Sequence, residues 1–221
     1  PAVLETWFLG NESGPAIADI LFGEVSPAGR LPMGMPRVTG QVPQSYAHPP
    51  TGRPANPDLS IDSARYSDTA IGPLFPFGHG LSYATFDYSA LEILPQGDGR
   101  SLRWAVSATV KNTGARDADE VIQLYIRAPV SGLARPVKEL RGFARVSIPA
   151  GETRRVTFVL RPEQFGIWRD GWHIPAGPVE VMVGASSEDI RLRDAFQNPV
   201  DRAVGAQEIA GSAPATSVTV A

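Results

Sequence analysis

Acidic side chains near the start of the chain are the first candidates for chemistry. Glu5, Glu12, Asp19 and Glu24 are the carboxylates of residues 1–43. Glu12 lies in a glycine-containing turn just before a predicted helix, where it could face a bound substrate or brace a neighbouring loop. It could also accept backbone N–H bonds at the helix start, where negative charge is favoured, and this second interpretation is the one we prefer.

A second group of candidates lies in residues 44–84, a stretch rich in Pro, Gly, Ser and Asp. Arg53 and Arg65 could present a guanidinium fork to a carboxylate or to hydroxyl groups. An ion pair that fixes the stretch to another domain is the preferred alternative. Tyr46 and Tyr66 could stack on the ring of a bound ligand, but aromatic side chains that anchor a loop are commoner.

The sequence predicts neither a metal site nor a cofactor. The chain has no cysteine and three histidines, His48, His79 and His173, which are too few and too scattered for a metal cluster. His79 lies between two glycines and is expected to hydrogen-bond locally rather than to act as a base.

Composition narrows the class of protein. The 221 residues carry a formal net charge of −3, and Lys and Arg are scattered without a basic run, so a nucleic-acid partner is not expected. There is no run of about eighteen apolar residues, so no membrane span is predicted. The chain begins at Pro1 without a start Met and enters an apolar segment directly, and we interpret it as a fragment or a processed product.

The pattern of residues 1–43 predicts the edge of an α/β layer. Ser13 is the expected N-cap of a helix that ends at Gly23, where a C-cap glycine belongs. A strand-like piece is predicted at 31–35. So short a segment cannot form a layer alone. Residues 44–84 lack apolar periodicity but carry several aromatic residues, among them Tyr46 and Tyr66, and they are therefore expected to be an ordered linker laid over a surface.

Residues 85–200 give the clearest secondary-structure pattern. Apolar residues from Leu102 to Val110 alternate with polar ones, and Trp104 is in phase with the buried face. Turn signals separate six or seven short strands, which predicts an antiparallel sandwich and a mainly β fold. Residues 201–221 are predicted to be a flexible tail. The other predicted strands are 121–126, 140–148, 156–160, 179–183 and 189–196.

Three strings of residues occur in a fixed order and together resemble glycoside hydrolase family 3. They are similar, in turn, to the end of that family's α/β sandwich domain, to the segment that follows it, and to its appended fibronectin type III-like domain. The spacing between the first two is closest to the periplasmic β-glucosidases of bacteria. The strings are Trp7-Phe-Leu-Gly-Asn-Glu-Ser-Gly14 with Ser26-Pro-Ala-Gly-Arg-Leu-Pro32, then Phe75-Pro-Phe-Gly-His-Gly-Leu-Ser-Tyr83, then Arg135-Pro-Val-Lys-Glu-Leu-Arg-Gly-Phe143.

The resemblance implies a domain organisation. An immunoglobulin- or fibronectin type III-like antiparallel sandwich at 85–200 would be preceded by a fragment of an α/β sandwich domain at 1–43 and a long ordered linker at 44–84. The sandwich would stabilise the enzyme and could form a homodimer. The protein would be periplasmic or secreted.

The resemblance also implies an activity, the retaining, exo-acting hydrolysis of terminal non-reducing β-D-glucosyl residues. Such hydrolysis uses two carboxylates about 5 Å apart, and the family places its nucleophilic Asp in an N-terminal barrel. We therefore assign no catalytic residue here and expect the chain alone to be inactive, with the β-glucoside or oligosaccharide bound through N-terminal domains. Glu12, Tyr46, Arg53 and Arg65 are kept as candidates for the substrate neighbourhood.

Two alternatives stay open. β-Xylosidases share the same layout, so the sugar is not fixed by the resemblance. The chain could also be a non-catalytic carbohydrate-binding or scaffold module, in which Trp168 and Trp172 would flank a turn and offer a platform to a sugar, although packing is the preferred interpretation for both.

Overall fold

Two facing antiparallel sheets form the largest part of the computed structural model, which describes residues 2–58, 63–129, 133–211 and 219–220. The main strands are β1 (Phe86–Gln96), β2 (Arg103–Asn112), β3 (Ala118–Arg127), β4 (Glu139–Ile148), β5 (Thr153–Leu160), β8 (Gly177–Gly184) and β9 (Ile190–Asn198), and the short ones are β6 (Ile167–Trp168), β7 (Trp172–Ile174), β10 (Arg202–Ala203) and β11 (Thr219–Val220). The first sheet has the strand order β1-β2-β5-β11 and the second has the order β4-β3-β8-β9.

The strands form where apolar and polar residues alternate, because one face of each sheet is buried. In β2, Val106 and Val110 are fully buried, and Trp104 is 3% exposed, as the phase of the pattern predicts. Phe158 of β5 and Ile122 of β3 reach the same apolar cluster from the two opposing sheets. The predicted mainly β sandwich is therefore confirmed.

The outer face of the second sheet is also covered. Gln123 and Tyr125 of β3 point away from the shared core, yet they are 3% and 0% exposed. The described parts of residues 28–84 supply the cover, since the phenol of Tyr46 meets Tyr125 edge-on and Gln123 donates to the carbonyl of Gly78 at 3.1 Å. We call residues 28–84 the covering segment. It gives β3 two buried faces.

Within the described residues 2–43, the regular elements are α1 (Ser13–Phe22) and a 3-10 turn at Thr39–Gln41. Gly23 is the C-cap with φ 81°, a left-handed conformation that suits glycine. The prediction of Ser13 as N-cap is wrong by one residue, because the carbonyl of Glu12 already accepts the N–H of Ala16 at 3.1 Å. Glu12 is thus the N-cap.

The strand predicted at 31–35 is wrong. A strand needs a hydrogen-bonded neighbour, and the described residues give this piece a single bridge, between Met35 and Phe75. Its remaining backbone bonds connect it to a turn, since the N–H of Leu31 bonds to the carbonyl of His79 at 2.8 Å.

The residues after β9 contain two short strands and a helix. β10 pairs with β7, and β11 pairs with β5. Between them, α2 (Ala206–Ala210) lies against a 3-10 turn at Pro162–Phe165. The division of the chain at 43, 84 and 200 stays a prediction. In the described parts of the chain, no helix has the length and apolar character needed to cross a membrane.

Candidate functional site

A buried ion pair joins the N-terminal region to the sandwich. Nη2 of Arg30 lies 2.7 Å from Oε2 of Glu120, and the two side chains are 9% and 3% exposed. Removing two charges from water is costly, so such a pair persists only where the geometry is good and further hydrogen bonds complete it. This pair has a third member that supplies such a bond.

Tyr88 of β1 completes the cluster. Its hydroxyl donates to Oε1 of Glu120 at 2.7 Å, so both oxygens of the carboxylate are occupied. Burial, followed by the negative charge of Glu120, raises the pKa of the Tyr88 hydroxyl. The phenol therefore stays protonated and acts as a hydrogen-bond donor. We call Arg30, Tyr88 and Glu120 the seam cluster.

A close approach of two backbones places Arg30 in the seam cluster. The N–H of Gly78 bonds to the carbonyl of Leu31 at 2.8 Å, and the N–H of Leu31 bonds to His79. A Cβ on Gly80 would lie 2.3 Å from the carbonyl oxygen of Gly29, so glycine is required there. Two of the three sequence strings thus meet each other directly.

A second contact of the covering segment is aromatic. The ring of Tyr46 stacks on Phe77 with centroids 4.3 Å apart, and its hydroxyl accepts the backbone N–H of Leu140 at 3.3 Å. The carbonyl of Phe77 in turn accepts the N–H of Ser187 at 2.9 Å. Burial is the main cause that raises the pKa of Tyr125 beneath them. Tyr46 is therefore an anchor of the segment.

The structure does not bring all four residues predicted for the substrate neighbourhood together in one site. Glu12 is exposed at the start of α1, and its carboxylate makes no capping bond, so our preferred interpretation of that side chain is wrong. Arg53 and Arg65 are exposed in the covering segment and come close in the fold, because the N–H of Ala64 bonds to the carbonyl of Arg53 at 2.8 Å.

The N-terminal region leaves large apolar side chains uncovered. Phe22 of α1 is 83% exposed and Leu21 is 66% exposed, and no residue of α1 is buried. Ahead of the helix, Trp7 and Phe8 are 60% and 104% exposed. Contiguous exposed apolar side chains on this scale mark an interaction surface. We call this surface, residues 2–25, the apolar surface.

One feature of the sequence indicates the seam cluster. Glu120 is in phase with the core residues Ile122 and Leu124, and a carboxylate at a core position requires a partner. The identity of the partner was hidden, because Arg30 lies 90 residues away in the chain.

Comparison with known families matches both halves of the chain. A model of the glycosyl hydrolase family 3 C-terminal domain matches residues 1–83, and a model of the fibronectin type III-like domain matches residues 120–187. The second range runs from within β3 to just beyond β8, and the first contains α1 and all but the last residue of the covering segment.

Relatives with assigned activities match over most of this chain. A periplasmic beta-glucosidase from Salmonella typhimurium is 41% identical over 193 residues, which cover 86% of this chain and 25% of that protein. A beta-xylosidase from Formosa agariphila is 38% identical over 190 residues, which cover 85% of this chain and 25% of that protein. The chain spans about a quarter of the length of these relatives.

Solved structures agree with the sequence matches. The crystal structure of a beta-glucosidase from Listeria innocua in complex with isofagomine superimposes with a TM-score of 0.78 at 37% identity, and the match covers 86% of this chain and 27% of that one. At this identity the likeness extends to the sequence as well as the fold. The chain belongs to glycosyl hydrolase family 3 and corresponds to the C-terminal part of its members.

Proposed function

We propose that the chain is the supporting C-terminal part of a retaining, exo-acting β-glucosidase that releases terminal non-reducing β-D-glucosyl residues. The nucleophile is contributed by a domain outside these residues. The observation that carries the supporting role is the seam cluster, which fixes the sandwich to the loop that follows α1. The same N-terminal region carries the apolar surface, so a domain that packs on this surface is held in a fixed position relative to the sandwich.

The seam cluster supports a mechanical role in catalysis. Retaining hydrolysis depends on two carboxylates held about 5 Å apart across the anomeric carbon, and a misplacement of about 1 Å can cost about a hundredfold in rate. A rigid sandwich that holds α1 and its neighbouring loops in one position lowers the freedom of the domain packed against them. The chain needs no reacting atom of its own for this role.

The candidate residues have different places in the proposal. Glu12 is exposed beside the apolar surface, so it is proposed to lie near the substrate or to brace a loop of the nucleophile-bearing domain. Arg53 and Arg65 are proposed to face that domain from the covering segment. Tyr46 has one face on Phe77, so its proposed role is to anchor the segment close to the site.

The substrate and location are proposed from the relatives. A periplasmic beta-glucosidase from Salmonella typhimurium is among them, which supports a periplasmic β-glucosidase, and the sandwich is proposed as the surface of any homodimer. A beta-xylosidase from Formosa agariphila supports the xyloside as the second candidate substrate.

Chromogenic substrates test the proposal. Two proteins are assayed with 4-nitrophenyl β-D-glucoside and 4-nitrophenyl β-D-xyloside. One is the polypeptide 1–221, and the other is the longer product of the whole reading frame that contains it. We expect turnover by the longer product, faster on the glucoside, and none by residues 1–221. Turnover by residues 1–221 alone, or a longer product that lacks a barrel with a nucleophilic Asp, contradicts the proposal.

A non-catalytic carbohydrate-binding module is the second candidate, and one observation favours it. Trp168 is 62% exposed on the hairpin of β6 and β7, where it meets Trp172 edge-on with centroids 5.6 Å apart. A glycan pull-down with the wild-type chain and Trp168→Ala tests it. Binding that disappears in the variant while both proteins lack turnover would favour this function over the first.

A further inference from the structure

A cavity of about 320 Å3 lies at the end of the sandwich remote from the seam cluster. The register of the first sheet sets this position, because Tyr88 of β1 faces Val110 at one end of β2 and Gln96 faces Arg103 at the other. Arg103 lines the cavity. Its volume is at the lower end of ligand-binding pockets, which are about 300–1,000 Å3.

Three arginines surround the cavity for a structural reason. β2 and β5 are neighbours in which Trp104 faces Leu160, so Arg103 and Arg161, one residue beyond that pair, leave the sheet side by side. Arg100 belongs to the 3-10 turn that leads into β2. Three arginines from two strand ends and one turn therefore line one opening.

The opposite wall is α2, which an ion-pair bridge holds in place. Arg202 binds Glu163 at 2.9 Å through one nitrogen and Glu208 at 2.8 Å through another. α2 also comes close to the turn below it, because a Cβ on Gly166 would lie 2.4 Å from Cδ1 of Ile209. The wall is thus a built part of the fold.

The charges of the cavity are unbalanced. Its two carboxylates, Glu163 and Glu208, are both bound by Arg202, and the hydrogen bond from Arg202 is the main cause that lowers the pKa of Glu208. Across residues 2–58, 63–129 and 133–211, no carboxylate lies within ion-pair distance of Arg100, Arg103 or Arg161. The charge of Arg100 also contributes to the lowered pKa of Glu208, and Nε of Arg103 donates to Oε1 of Gln96 at 3.1 Å. Positive charge is therefore in excess at the opening.

The remaining lining indicates what kind of anion fits. Arginine forks bind carboxylate and phosphate groups bidentately. Gln207 can both donate to and accept from hydroxyl groups, whereas the hydroxyl of Ser101 already donates to the carbonyl of Asp98 at 2.8 Å. The oxygens of Glu163 and Glu208 repel a compact, multiply charged anion but can accept hydroxyl protons. This mixture favours a ligand with one negative group and several hydroxyls over a bare oxyanion.

We propose that the cavity is a binding site for a sugar acid of one-ring size, a hexuronate-like ligand. The guanidinium groups of Arg100, Arg103 and Arg161 hold its carboxylate, and the amide of Gln207 contacts its hydroxyls. The site would recognise an acidic sugar on a substrate or in the surrounding polysaccharide. It does not depend on the proposed glucosidase activity.

Calorimetric titration of the full 221-residue chain at low salt, with glucuronate, glucose and inorganic phosphate as probes, tests the site. We expect saturable binding of glucuronate and an affinity about tenfold lower for glucose, which lacks the carboxylate. The double variant Arg100→Gln/Arg161→Gln should weaken glucuronate binding by about tenfold or more and leave glucose binding unchanged. Glucuronate affinity should fall with added salt, since these arginines are exposed.

Arg193→Gln is the matched control, because Arg193 is an exposed arginine of β9 that does not line the cavity. It should bind glucuronate like the wild type, and thermal unfolding should show all variants folded. Three outcomes overturn the proposal: no saturable glucuronate binding, equal loss in Arg193→Gln and the double variant, or phosphate binding tighter than glucuronate.

Discussion

The sandwich and residues 2–84 are held together by different means. The sandwich has a continuous apolar core in which Phe158 and Leu160 are fully buried. Among the described residues of 2–84, Ala28 and Ala84 are the buried apolar side chains, and α1 buries none of its residues. The N-terminal region is instead fastened to the sandwich by polar contacts and by aromatic rings.

This difference indicates that the free energy of folding and the position of the N-terminal region depend on different contacts. Burial of apolar area stabilises the folded state wherever it occurs. A buried ion pair gains little net free energy, but breaking it is costly because it leaves a charge unpaired. The sandwich can thus supply the stability, and the seam cluster can fix where the N-terminal region lies.

The largest effect we expect is a difference in folding between residues 85–221 and residues 1–43 when each piece is expressed alone. Residues 85–221 should show one cooperative thermal transition by circular dichroism, because the sandwich keeps its core. Residues 1–43 should show none, because α1 has no layer to pack on. A cooperative transition in the short piece would contradict the comparison and the domain division with it.

Glu120→Gln should loosen the attachment of the N-terminal region. It leaves Arg30 buried beside an uncharged group, and we expect the free energy of unfolding to fall by about 3 kcal/mol, with earlier proteolytic cleavage in 2–84 than in the sandwich. Asp119→Asn is the matched control on the next residue of β3, since its partner Arg145 is 65% exposed.

Exposed pairs contribute about 0–1 kcal/mol, so Asp119→Asn should change the unfolding midpoint in urea little. Equal losses in the two variants would show that burial of the seam cluster has no energetic consequence. Cleavage that begins in the sandwich would show that the pair supports the core rather than the attachment.

Tyr88→Phe should change the dependence of stability on alkaline pH, the smallest effect of the three. The pKa of Tyr88 is raised in the folded state, so its contribution is complete below about pH 10 and is lost as the pH rises above it, by about 1.4 kcal/mol per pH unit. Tyr88→Phe should be about 1–2 kcal/mol less stable at pH 7 and should lose less above pH 10. Parallel curves from urea unfolding would contradict this.

Strand positions were predictable where the alternation of residues is uninterrupted. The pattern from Leu102 to Val110 coincides with β2 from Arg103 onward, and the other strands predicted within residues 85–200 overlap observed ones, whereas the strand predicted at 31–35 does not. β1 was not predicted, because its register shifts between Ser89 and Glu92, where Ala90 has a positive φ of 50°. A bulge changes the phase of the alternation and hides the strand.

The seam cluster was beyond prediction for a different reason. Its members come from the loop after α1, from β1 and from β3, and such long-range pairing leaves no periodic mark in the sequence. For the candidate residues, the sequence could indicate the segment but not the environment. Tyr46 was expected to anchor, and its stack on Phe77 shows the contact that does so.

The covering segment has a consequence for protein engineering. Since residues 28–48 and 74–84 pair with the sandwich and with each other, a Gly/Ser tether of equal length would not replace the segment, because it would release the loop that carries Arg30. The stretch from Thr51 to Ala55 is exposed and irregular. Because this stretch contains Arg53, a fluorophore or affinity tag inserted there should leave the sandwich folded and disturb only the part of the segment that is proposed to face the neighbouring domain.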